Sequence, residues 1–126
     1  MAAEVKQLNA GITIGDICLS ILLYADDICL MAPSAENLQA MLDVVSKWCT
    51  KWGMQINVKK TQIMHVRNHQ RPRSDFQFTC GGSPLSYTDT YKYLGYTLHE
   101  HLSDIKNVEI LTASASRSFG RVHSIF

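Results

Sequence analysis

The sequence holds no CxxC pair and no tight group of His and Cys. Its four cysteines, Cys18, Cys29, Cys49 and Cys80, are widely scattered, so nothing in their spacing points to zinc, and reduced, mostly buried thiols are expected. Long apolar runs are also missing. The longest, residues 21–25 and 28–32, are broken by charge well short of the ~20 residues a membrane span requires, so neither a membrane protein nor a membrane partner is expected. Residues 1–10 carry Glu4 and Lys6 and lack both a basic start and an apolar stretch. No secretory signal is read there, and an intracellular protein is expected, with nucleus and cytoplasm both open. Glycine and proline are scarce, seven and three in 126 residues, which argues against a collagenous or low-complexity chain. With 46% hydrophobic and 18% charged residues, one globular domain is the expectation.

Acid is absent from one whole segment. Residues 47–73 hold seven bases and no carboxylate, whereas residues 1–46 hold one base against six acids, so a net charge of +1 conceals a −5 stretch followed by a +7 stretch. Such a split suits a surface that meets a polyanion; a solvated helix face followed by a basic loop accounts for it equally well.

Ile12, Ile14 and Ile17 bracket the turn pair Gly15-Asp16, which predicts a hairpin. A second hairpin is predicted from Leu19-Ser20-Ile21-Leu22-Leu23-Tyr24 and Ile28-Cys29-Leu30-Met31, read as two buried antiparallel strands with Asp26 and Asp27 at the connecting tip. Pro33 stops the strand and Ser34 caps a helix with Glu36 in its first turn. Its apolar stripe, Leu38, Met41, Leu42, Val45, Trp48, Cys49 and Trp52, recurs at spacings of three and four, and Gly53 ends it. The following residues read as a strand over 55–58, a basic turn at Lys59-Lys60-Thr61, a strand over 62–67, an exposed loop over 68–74, a strand over 76–80, a Gly81-Gly82 turn, and a β-rich run over 91–98 with Gly95 in its middle. Ser103 can cap a C-terminal helix. The fold class is therefore α+β: an antiparallel sheet with one packed helix and a C-terminal helix.

Two adjacent carboxylates between apolar strands are physically odd, because strand alternation sends neighbours to opposite faces and like charges repel. A magnesium ion, which prefers one or two carboxylates plus substrate phosphates, would relieve that repulsion; a polar turn is the plain alternative. Tyr24-Ala25-Asp26-Asp27 resembles the (Y/F)-x-D-D box on the catalytic hairpin of reverse transcriptases, and its alanine resembles the non-LTR (LINE-type) retrotransposon branch. Trp52-Gly53-Met54-Gln55-Ile56-Asn57-Val58-Lys59-Lys60-Thr61 resembles the next motif in the family's order, and Tyr91-Lys92-Tyr93-Leu94-Gly95 resembles the primer grip. The resemblance covers about residues 11–98.

That resemblance implies a partial palm over residues 1–98, with a linker and the first thumb-like helix over 99–126. It implies that Asp26 binds Mg2+, that Asp27 supports it at the same metal, and that Lys60 assists the leaving pyrophosphate. Tyr93, Leu94 and Gly95 would touch the primer strand of a primer/template nucleic acid, and the acid-free segment, close to the turn that would face the triphosphate, adds Lys59, Lys60, Arg71 and Arg73 as expected contacts to nucleic-acid phosphates. The family's earlier strand, with a further metal-binding aspartate, finds no match here: about ten residues precede Gly11, and Glu4 does not sit in such a context. RNA-directed DNA polymerase chemistry needs both strands to fix two metals, so the chain alone is expected to be inactive. The rival reading is a non-catalytic binding module, a truncated or domesticated palm fragment whose uncovered sheet edge is closed by a protein partner or a homodimer. His99-Glu100-His101 could offer alternate metal ligands but reads as a solvated linker, and no site is attached to His65 or His69.

Overall fold

The computed structural model describes residues 1–93 and 95–102; Leu94 and the helix expected from Ser103 onward lie outside the described residues. The chain divides into two compact units, one built from Met1–Gln62 and Phe76–Ser86, the other from Ile63–Asp75 and the chain from Tyr87 on.

The first unit opens with a short helix, α1 (Ala2–Gln7), that has no counterpart in the sequence expectations. A helix of six residues is too short to persist on propensity alone. What holds it is Val5, which is fully buried against Ala10, Ile21, Met41, Val45 and Cys49 in the core of this unit. Next come two hairpins. Strands β1 (Ile12–Ile14) and β2 (Ile17–Leu19) pair antiparallel around Gly15-Asp16, with Ile12 opposite Leu19. Strands β3 (Ile21–Tyr24) and β4 (Asp27–Leu30) pair likewise, with Ile21 opposite Leu30 and Tyr24 opposite Asp27. Gly11 lets the start of the first hairpin pack closely: a Cβ there would lie 2.5 Å from the Leu19 carbonyl oxygen.

Helix α2 (Ala35–Lys51) follows the expected signals at both ends. Ser34 is extended and its hydroxyl accepts from Asn37 N at 3.2 Å. At the other end Gly53 takes φ 69°, Gly53 N donates to Thr50 O, and Met54 N donates to Cys49 O at 2.8 Å, a Schellman ending. Met41, Leu42, Val45 and Cys49 are buried, Leu38 and Trp48 half-buried. Trp52, read as the last residue of the stripe, is 62% exposed: it is the helix cap, where the backbone has already left the helical path and turned the side chain off the packed face.

The strand expected over 55–58 does not form. Asn57 O instead collects Lys60 N, Thr61 N and the Thr61 hydroxyl, which wraps the segment into a turn. The strand expected over 62–67 shortens to β5 (Gln62–Ile63), and that over 76–80 to β6 (Thr79–Cys80), which pairs with β7 (Ser83–Pro84) across Gly81-Gly82. The Gln39 side-chain amide satisfies the edge of β6 as a neighbouring strand would: its Nε2 donates to Thr79 O at 2.9 Å and its Oε1 accepts from Thr79 N at 3.0 Å. A short strand β8 (Ser86–Tyr87) follows. The second unit carries one further hairpin, β9 (Thr90–Tyr93) with β10 (Tyr96–His99), in which Tyr93 faces Tyr96 and Thr90 faces His99. The architecture is thus small antiparallel ladders with few helices, an α+β fragment in which the expected antiparallel sheet takes the form of separate two-stranded pairs among the described residues.

Candidate functional site

The two aspartates owe their position to the shortness of the β3/β4 turn. With Tyr24 opposite Asp27, the loop is only Ala25 and Asp26. Two-residue hairpin loops need a first residue with positive φ to match the strand twist, and Ala25 supplies it at φ 48° in spite of its Cβ. Asp26 therefore sits at the tip and Asp27 opens the returning strand, both exposed. The strands behind them are less covered than the sequence suggests. Ile21 is buried, but Leu22 is 38%, Leu23 51% and Ile28 41% exposed, because the core of this unit, centred on Met41 and Val45, reaches only the end of the hairpin distal to the turn.

Hard carboxylate oxygens on adjacent residues are suitable donors for magnesium, which takes one or two carboxylates and fills its other positions with water and phosphate oxygens. Asp26 and Asp27 fit such an ion in kind. Among the described residues no group of three or more His, Cys, Asp or Glu converges to enclose a metal by itself.

Lys59 and Lys60 stand exposed on the turn that Asn57 O organises, in the same unit as the aspartates. Among the described residues neither lysine makes an ion pair with Asp26 or Asp27. The remaining site residues of the sequence reading lie in the second unit. Gly95, at φ 81°, follows β9 and precedes β10, so Tyr93 and Gly95 belong to the far end of that hairpin, while Leu94 is outside the described residues. Arg71 is exposed; Arg73 is engaged within its own unit, where its guanidinium lies 5.9 Å from the Tyr87 ring centre and meets Glu100 at 2.6 Å.

Glu100 is the residue whose surroundings the sequence reading missed. Far from a solvated linker, it is 7% exposed and shared by two arginines. Arg67 Nη1 donates to Oε2 at 2.8 Å and Arg73 Nη2 to the same oxygen at 2.6 Å. Hydrogen bonds from Arg67 first and Arg73 second hold its carboxyl at about 2, against burial, which pushes the other way. His101 donates through Nδ1 to Arg67 O at 2.9 Å, and its ring lies 3.9 Å from that of His69. An acid placed just after a β-rich run, downstream of the acid-free segment 47–73 with its seven bases, is the available signal; a pairing across 33 residues is not encoded in any local pattern.

Comparison with known proteins bears directly on these features. The profile of the family described as reverse transcriptase (RNA-dependent DNA polymerase) matches residues 4–98, well over half of the chain. The chain is 32% identical over 120 residues to the RNA-directed DNA polymerase from mobile element jockey of Drosophila funebris, covering 89% of this chain and 13% of that protein. It is 35% identical over 88 residues to an uncharacterized transposon-derived protein of Caenorhabditis elegans, covering 66% of this chain and 30% of that protein. The chain thus spans less than a third of the length of either of these curated relatives. Among the described residues no helix is long and apolar enough to cross a membrane.

Proposed function

The chain belongs to the reverse transcriptase family, in its LINE-type non-LTR retrotransposon branch, and from that premise we propose that it carries the catalytic-hairpin part of an RNA-directed DNA polymerase palm. The observation that supports this reading most is the two-residue Ala25-Asp26 loop, which places Asp26 in the turn and Asp27 at the first position of the returning strand, both exposed. Asp26 and Asp27 would hold the divalent ion on which the family depends in general, and the ion would supply charge neutralisation for a primer hydroxyl and triphosphate. Lys60, exposed on its turn, would protonate the leaving pyrophosphate or stabilise its negative charge. Tyr93, Leu94 and Gly95 form the primer grip. Lys59, Lys60, Arg71 and Arg73 add contacts to nucleic-acid phosphates.

In this reading the 126-residue chain by itself does not extend a primer. Two carboxylates at one tip do not fix a pair of ions in the geometry of phosphoryl transfer. Primer extension on an RNA template with magnesium or manganese is the test: no incorporation is expected, and template-dependent incorporation that vanishes in Asp26→Ala would overturn the inactivity while supporting the site.

The exposed Leu22, Leu23 and Ile28 favour a second reading, a non-catalytic module that binds a protein partner or pairs with its own copy through this hairpin. Retention of single-stranded RNA at low salt discriminates the two. Binding that falls steeply with salt supports the nucleic-acid role, and its absence in a chain that is dimeric by light scattering supports the module.

A further inference from the structure

The hairpin β9/β10 is fastened at its base by a residue that no motif assigns. Glu100 N donates to Asp89 O at 2.8 Å, one step below the Thr90/His99 pair, and Glu100 O accepts from Arg67 N at 2.9 Å. Its side chain is clasped by Arg67 and Arg73, which come from the preceding segment of the same unit. Arg67 is itself fixed on every side. Its Nε donates to Arg71 O at 2.9 Å and its Nη1 to His65 O at 3.2 Å, while its own carbonyl accepts from His101. The hairpin base and residues 65–73 are therefore one hydrogen-bonded body, with Glu100 as the shared acceptor.

A two-stranded ladder is marginal alone, and its orientation is set by what holds its base. A carboxylate buried with two guanidiniums tolerates little displacement, because its removal leaves the almost buried Arg67 without a counter-charge. We propose that Glu100 is the positioning residue of the primer-grip hairpin: through Arg67 and Arg73 it fixes the base of β9/β10, and so sets the orientation in which this hairpin meets the primer strand. This rests on the reading of Tyr93, Leu94 and Gly95 as the grip. Arg73 serves the hairpin in this scheme, and its phosphate contact is secondary.

The test uses the 126-residue chain with two readouts. Amide hydrogen exchange over residues 90–99 reports the hairpin. Fluorescence anisotropy reports the preference for an RNA/DNA duplex with a recessed 3′ end over a single strand of equal length. The ratio matters, because arginines freed by Glu100→Gln raise affinity for both probes. Glu100→Gln is expected to speed exchange about tenfold or more and to reduce the preference at least about threefold, with Glu100→Asp restoring most of both. Arg73→Met, which keeps the Arg67 pair, gives a smaller change in the same direction and carries the test if Glu100→Gln loses its circular dichroism. Tyr93→Ala reduces the preference with exchange at the base unchanged.

Unchanged exchange in Glu100→Gln and Arg73→Met would overturn the positioning role. Faster exchange with a preference that falls in Tyr93→Ala but not in Glu100→Gln would overturn the link between base and tip. No preference in the wild type, or none lost in Tyr93→Ala, would overturn the primer-grip reading itself, a failure separable from the other two.

Discussion

Replacing Ala25 by glycine isolates the backbone feature on which the aspartate pair depends. At φ 48° the Cβ of Ala25 crowds the following carbonyl, which costs roughly 1 to 2 kcal/mol in the left-handed region. Glycine removes that cost but gives the unfolded chain more freedom, worth about 0.4 to 1 kcal/mol against folding. The balance favours Ala25→Gly by about 0.5 to 1 kcal/mol. Valine at the same place sharpens the contrast, since β-branching makes positive φ a true outlier, and Ala25→Val is expected to lose at least about 1 kcal/mol relative to wild type. Urea denaturation followed by tryptophan fluorescence measures both, with Trp48 on the core of the unit that contains the hairpin. A shift in midpoint without a change in slope assigns the effect to stability and not to compactness of the denatured state. A glycine variant less stable than wild type by 0.5 kcal/mol or more, or a valine variant indistinguishable from it, would refute the positive-φ loop and with it the placement of Asp26 at the tip.

Two further outcomes follow from the packing and from the Glu100 ion pairs. Met41→Ala, at a fully buried position, should cost about 3 kcal/mol, whereas Trp52→Ala at an exposed cap should cost less than about 1 kcal/mol in the same denaturation series; equal losses would contradict the assigned face of α2. For Glu100 the folded value of about 2 lies below the ordinary 4.5, so the unfolded chain takes up the proton first as pH falls. Its contribution to stability is therefore complete above about pH 5 and is lost as pH falls from 4.5 through 2. NMR titration of the Glu100 carboxyl should give a midpoint near 2, with Glu100→Gln flattening the acid limb of stability; a midpoint near 4.5 would show that the arginine clasp is absent in solution.

Local signals carried much of this molecule. Ser34, the stripe through Met41, Val45 and Cys49, and Gly53 placed α2 to within a residue or two, because caps and periodicity act over one or two turns. The two turn pairs and the Asp-Asp tip were equally legible, since a hairpin register follows from its loop length. What escaped depended on distant partners. Helix α1 exists through Val5 in a core shared with Ala10, Ile21 of β3 and the buried face of α2, and residues 55–58 gave up a strand pattern for a turn organised by a single carbonyl, Asn57 O. Ionic patterning misled in the same way. By sequence Arg73 is one of several surface cations, yet its charge is met by Glu100, and Glu100 looks solvated in sequence because its two partners lie 33 and 27 positions upstream. At the site, sequence gave the residue types and their order, while the exposure of Leu22, Leu23 and Ile28 behind the aspartates required the structure.

The central claim, that Asp26 and Asp27 form the cation-holding tip of a retrotransposon polymerase hairpin, is met most directly by paramagnetic relaxation with manganese in the isotope-labelled chain. Low concentrations should broaden the amides of residues 24–28 first, ahead of those beside the separate acids Asp16, Glu36 and Asp43, and Asp26→Asn should abolish that selectivity while leaving the spectrum of the fold intact. Broadening that is uniform across all exposed carboxylates, or selective broadening that survives Asp26→Asn, would contradict it.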